Sequence, residues 1–155
     1  MDNRIEKLRE YIDNNVLNKN EFMEKRTEYI HLYCVSNFCA LIALKRKQNA
    51  ELATIAGMLH DIYSYKNKDP KDHAKNGALL AKEILEFLKI TNDEETELVC
   101  NAIYKHSDKQ NKHSDFEEIL IDADVIQHYL HNISLPIFEH ETDRLMKLKE
   151  EFLIK

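Results

Sequence analysis

Apolar residues recur at helical spacing along almost the whole chain. Ile5, Leu8 and Ile12 predict a short amphipathic helix ending near Asn14 and Asn15, a docking or dimerisation element rather than a chemical one. From about Glu21 to Lys47, the series His31, Val35, Phe38, Ile42 advances in steps of four, three and four, so a histidine shares the face of an apolar stripe. A third helical run, Glu51 to Tyr65, is apolar and small at Leu52, Ile55, Ala56 and Leu59 and then carries His60 and Asp61 side by side. A polar connection from Tyr63 to Asp72, containing Pro70, leads into a helix of about Asp72 to Lys89 with His73, Gly77, Leu80, Ile84 and Leu88 on one face. Thr91 or Asn92 caps the next helix, whose acidic first turn suits the helix dipole. Its apolar face, Val99, Ala102 and Ile103, arrives at His106. A polar loop to Ser114 or Asp115 opens the run Ile119 to Ile126, Pro136 ends that region, and Leu145, Leu148 and Phe152 predict a closing helix.

The polar residues that interrupt these apolar faces form a set: His31, His60, Asp61, His73, His106 and Asp124. Each taken alone reads as a satisfied core residue. A carboxylate buried without a partner is costly, and the usual remedies are an ion pair or a metal, so the recurrence at the tip of successive apolar faces points to a shared centre. Asp122 rivals Asp124, because positions two apart on a helix differ by about 200 degrees and cannot share a face. A solvated helix face explains at most one of them. His128 and His131, four and seven residues beyond Asp124, read as partly exposed helix residues, with approach of His128 to the centre as the alternative, whereas His113 and His140 read as surface residues. Gly77 in a helix interior costs roughly 1 kcal/mol against Ala, which predicts close packing or room for a ligand.

Composition sharpens this picture. Two Gly, two Pro and no Trp in 155 residues leave few turn residues for a sheet, so the expectation is all-α: a single helical bundle over residues 1–155, with its core at about 21–132. The net charge of −6 argues against binding nucleic acid through its backbone. No apolar run approaches the roughly 20 residues that span a bilayer, and Met1-Asp2-Asn3-Arg4 does not open a signal peptide. The expectation is a cytoplasmic protein with no membrane partner. Cys34, Cys39 and Cys100 lack paired metal-finger spacing and read as reduced core residues, with a redox role as the alternative. Imidazoles and carboxylates suit first-row divalent ions, and the lack of a cysteine-rich set speaks against a closed structural zinc site.

The ordered pattern of His31, then His60-Asp61 after an apolar helix, then Asp124 after Ala123, resembles the HD-domain superfamily of metal-dependent phosphohydrolases. That resemblance implies a compact helical bundle of the HD type in which His31, His60, Asp61 and Asp124 hold a metal. The stretches His73-Ala74-Lys75-Asn76-Gly77-Ala78 and Ile103-Tyr104-Lys105-His106-Ser107 are similar to the extra histidine motifs of dinuclear members, including bacterial dinucleoside-tetraphosphate hydrolases. It follows by resemblance that Asp61 bridges two ions and that His73 and His106 serve the second. With one ion, those histidines would instead be general acid or phosphate contacts. The Gly-Lys that follows His-Asp in several relatives is replaced here by Ile62-Tyr63-Ser64-Tyr65, which leaves the phosphate contacts open.

The implied activity is hydrolysis of a phosphomonoester or phosphoanhydride in a small nucleotide-like substrate, through a water activated by one or two ions of Fe, Mn, Co, Ni or Zn. Asp61, His73 and His106 would be the catalytic set, and Lys66 and Lys109 candidate phosphate contacts. Other readings remain open: a non-catalytic metal- and nucleotide-binding regulatory module, a helical oligomerisation protein with buried histidines, and a diiron oxygenase on the same scaffold. A homodimer is compatible with all of them.

Overall fold

The computed structural model describes residues 3–154; Met1, Asp2 and Lys155, and with them the start of the polar N-terminal segment, lie outside the described residues. Eight α-helices account for most of the described chain, and no strand occurs among those residues. In order they are α1 (Arg4–Asn15), α2 (Phe22–Lys45), α3 (Ala50–Leu59), α4 (Ile62–Asn67), α5 (His73–Leu88), α6 (Asp93–Lys105), α7 (Asp115–His131) and α8 (Thr142–Glu151). Short 3-10 turns at Leu17–Lys19 and Glu139–Glu141 precede α2 and α8.

Starts are set by local chemistry. Asn49 accepts from the Leu52 amide at the head of α3. Asn92 with Glu95 and Ser114 with Glu117 form reciprocal capping boxes on α6 and α7, each satisfying two otherwise orphaned donors. Asn92 and Ser114, not Thr91 and Asp115, are thus the caps.

The centre of the bundle is α2, which packs on α3 and α7; α6 closes against α3, α5 and α7. Leu32, Val35, Cys39 and Ile42 of α2 meet Leu52, Ile55, Met58 and Leu59 of α3 in one continuous core that also takes in α7 and α8. Each of the larger side chains contributes about 1.5–3 kcal/mol by leaving water. Gly57 makes the α2–α3 contact close: a Cβ there would sit 2.6 Å from Ser36 Cα and 2.9 Å from Ser36 N. Gly77 plays a milder version of the same part, with His60 O 3.2 Å from the position its Cβ would take. Close packing, rather than room for a ligand, is its role.

Several sequence expectations change. Of the two roles foreseen for α1, docking is the one seen: Leu8 and Ile12 are fully buried in the chain's own core. The run from Glu51 to Tyr65 is divided into two helices at His60 and Asp61, and α4 occupies half of the segment expected to be an irregular connection. By length and apolarity α2 could cross a membrane, against the expectation that no segment would; it is the one such helix among the described residues. Its buried residues, including Glu28 and Ser36, instead pack within the bundle. Cys39 is buried and Cys34 and Cys100 partly so, all as free thiols.

A candidate dinuclear metal centre

Six side chains from six segments converge. His31 comes from the middle of α2 and Asp124 from the middle of α7, while His60, Asp61, His73 and His106 all sit at helix ends. The break after α3 explains how neighbours in sequence share one centre. His60 continues the α-helical conformation, Asp61 leaves it at φ −108°, and the two heads turn the same way. His73 opens α5 directly after Asp72, which is held at φ 50°. Aspartate is one of the few residues that tolerate this left-handed conformation.

The imidazoles are oriented by one repeated device. His60 Nδ1 donates to Gly57 O at 2.8 Å, His106 Nδ1 to Ile103 O at 2.6 Å and His73 Nδ1 to Pro70 O at 3.1 Å. Each partner is the carbonyl three residues back; Ile103 O also accepts from the His106 main-chain N–H, at 3.4 Å. A carbonyl only accepts, so Nδ1 carries the proton and Nε2 presents its lone pair. His31 reaches the same state through Gln127 Oε1 at 2.8 Å.

Those lone pairs face one another. His31 Nε2 lies 3.0 Å from His60 Nε2, and His73 Nε2 lies 3.2 Å from His106 Nε2. Two acceptors at such distances repel unless a cation or an added proton lies between them. Asp61 is shared between the pairs: Oδ2 is 3.3 Å from His31 Nε2 and 3.5 Å from His60 Nε2, whereas Oδ1 is 3.5 Å from His106 Nε2 and 3.8 Å from His73 Nε2. The ligand atoms of His31, His60 and Asp61, and those of Asp61, His73 and His106, fall into two trios, each with all its atoms within 4.8 Å of one another. Asp124 Oδ1 joins the first trio at 3.5 Å from His31 and 3.8 Å from His60. The donor set fits two divalent ions of borderline character, with a carboxylate between them.

Electrostatics agree with the geometry. Burial would raise the Asp61 carboxyl, but His60, His106 and His31 outweigh it and hold it well below the usual range. Burial opposes ionisation of Asp124 as well, and is overcome by the charge of Lys109 and by His60, His128 and His31. Burial pushes the His60 imidazole down to about 4. His31 and His106 also lose solvation, yet Asp61 more than compensates and keeps them above the usual histidine value. Two anionic oxygens thus confront a partly neutral set of imidazoles inside the bundle.

Asp122, the rival to Asp124, points elsewhere. It pairs with Arg46 Nη1 at 2.8 Å and Arg144 Nη1 at 3.0 Å. Both aspartates are buried, so the solvated-face account applies to neither. Lys109 reaches the centre, where its ammonium lies against Asp124 and Glu141, and Lys66 is exposed on α4 with no ion pair among the described residues. His128 approaches to 3.4 Å from Asp124 Oδ1, its ring stacked on His31 at 5.7 Å. The His113 side chain is largely buried, with Nε2 3.0 Å from Asp108 O, where a surface position was expected; His140 is half exposed. Gln127 and Glu141 escaped the sequence reading. Gln127 left a signal, a polar residue in the apolar stretch after Asp124, whereas nothing near Glu141 marked it.

A helical bundle that gathers four histidines and two aspartates, one of them shared, at one interior point defines a class: an all-α scaffold with a His-Asp centre able to hold metal. The chain belongs to the HD-domain family, whose model matches residues 29–129 and whose members are metal-dependent phosphohydrolases. Comparison with curated proteins and with solved structures returns no significant match.

Proposed function

We propose that the protein is a metal-dependent phosphohydrolase acting on a phosphomonoester or phosphoanhydride of a small, nucleotide-like molecule. The observation that carries this reading is Asp61, whose two oxygens face two separate pairs of imidazole lone pairs. In this reading His31, His60, Asp61 and Asp124 hold one divalent ion, and Asp61, His73 and His106 a second. Such ions, when bound, polarise phosphoryl oxygens and make water nucleophilic near neutral pH. The residues supply the rest. Asp61 fixes the separation of the two half-sites through one rigid carboxylate. The Nδ1 hydrogen bonds hold the four rings in the orientation that aims Nε2 at the ions. His60, His106 and Asp124 are themselves buried, so the inner side of the cluster is shielded from solvent.

The test is metal content and turnover together. Protein reconstituted with Mn²⁺, Fe²⁺ or Co²⁺ should retain close to two ions per chain and hydrolyse an aryl phosphate or a member of a nucleotide panel. Asp61→Ala should lose both. An Asp61→Ala protein that keeps its turnover without metal would overturn the assignment, and retention of metal and nucleotide without turnover by the unaltered chain would identify a regulatory module instead.

A further inference from the structure

Lys109, foreseen as a phosphate contact, has a different environment. Its side chain is only 8 % exposed, and its Nζ lies 2.7 Å from Asp124 Oδ2 and hydrogen-bonds to Glu141 Oε1. The main chain there is held too, since Arg144 Nε donates to Lys109 O at 2.7 Å. Glu141 is in turn buried and accepts the Nδ1 proton of His128 at 2.9 Å. The ammonium therefore sits between two buried carboxylates, with none of the freedom a substrate contact needs.

The two oxygens of Asp124 are divided by this arrangement. Oδ1 faces His31, His60 and His128, all within 3.8 Å, while Oδ2 is taken by the ammonium. A charge-assisted hydrogen bond of this length is among the strong ones. A cation that chelated both oxygens would have to displace the ammonium or lie beside it. We propose that Lys109 is a positioning residue that restricts Asp124 to a single ligand oxygen, Oδ1, at the His31–His60–Asp61 site, and so keeps a coordination position there open. The inference rests on the metal-centre reading above. An open position is what separates catalytic from closed structural sites.

The experiment compares unaltered protein, Lys109→Met and Lys109→Arg, each loaded with Co²⁺ and checked for folding by circular dichroism. In Lys109→Met, Asp124 gains the freedom to chelate, coordination number rises, and visible absorptivity per bound ion falls by at least about twofold, because higher-coordinate Co²⁺ absorbs more weakly. Lys109→Arg retains the charge and the hydrogen bond and should keep the original spectrum. If Lys109→Met does not fold, Glu141→Gln, which loosens the anchor while leaving the lysine, should shift the spectrum in the same direction. An unchanged spectrum in the folded Met variant, or a rise in KM for phosphate substrates with no spectral change, overturns the clamp while leaving the metal centre standing. Failure of the unaltered protein to bind Co²⁺ overturns both.

Discussion

Replacing Gly57 by Ala tests the link between core packing and the metal centre. The added methyl would meet the Ser36 backbone at 2.6 and 2.9 Å and Cys39 Sγ at 3.0 Å, where ordinary contact begins at 3.4 Å. The obstacle is the main chain of α2, which cannot rotate aside as a flexible side chain would. The two helices must therefore part locally by about 0.8 Å, the shortfall against that contact distance. Overpacking of this kind costs about 1–3 kcal/mol, against roughly 1 kcal/mol gained by Ala over Gly in a helix. Overpacking wins, by up to about 2 kcal/mol, which for a chain of this size lowers Tm by up to about 8 °C. The same displacement reaches the centre, because His60 follows Gly57 by three residues and His31 precedes Ser36 by five. Site geometry tolerates about 0.5 Å, so metal affinity should fall about tenfold or more. Thermal melts of metal-free protein and competition titrations with a chromophoric chelator read the two effects. Gly77→Ala is the control: its methyl needs only a few tenths of an ångström from His60 O, and its stability should change little. A Gly57→Ala protein as stable as the original and equally tight for metal would refute the argument.

Gln127→Leu removes the acceptor that fixes the His31 tautomer at 2.8 Å, and metal affinity at the first half-site should fall by about 10–100-fold while retention at the His73–His106 pair is unchanged, read as ions retained per chain. A third expectation concerns pH. Hydrogen bonds from Arg4 hold the Glu51 and Glu95 carboxyls below their usual range. A depressed folded-state value means that this anchor is fully present above the ordinary glutamate value of about 4.3 and is lost as pH falls below it. Denaturant titrations between about pH 6 and 3 should therefore show a shallower acid slope for Arg4→Met than for the unaltered protein; parallel slopes would remove the anchor from the account.

Much of the centre was legible because its residues contradict their surroundings. His31, His60 and His106 each stand where an apolar stripe calls for an aliphatic, and a single sequence suffices to notice it. Asp124 and Asp122 were harder, since both interrupt the same apolar run. Their choice depends on Arg46 and Arg144, remote in sequence, which neutralise Asp122 and leave Asp124 for the imidazoles. The short helix α4 had no signal either, because residues 63–72 read as a polar connection. Lys109 was visible as a cation near His106 but not as an occupied one, for Glu141 lies 32 residues away. Periodicity reports which face of a helix turns inward. It does not report which inward charges find each other.

The main-chain carbonyls that orient His60, His73 and His106 leave an imprint on how such a centre can vary. No side-chain replacement elsewhere removes a backbone oxygen, so these three rings keep their orientation as long as their helix ends persist. Only His31 depends on a replaceable partner, Gln127. Drift in the surrounding sequence thus leaves most of the ligand set untouched, and among the ring orientations position 127 is where natural variation can retune one without deleting a ligand.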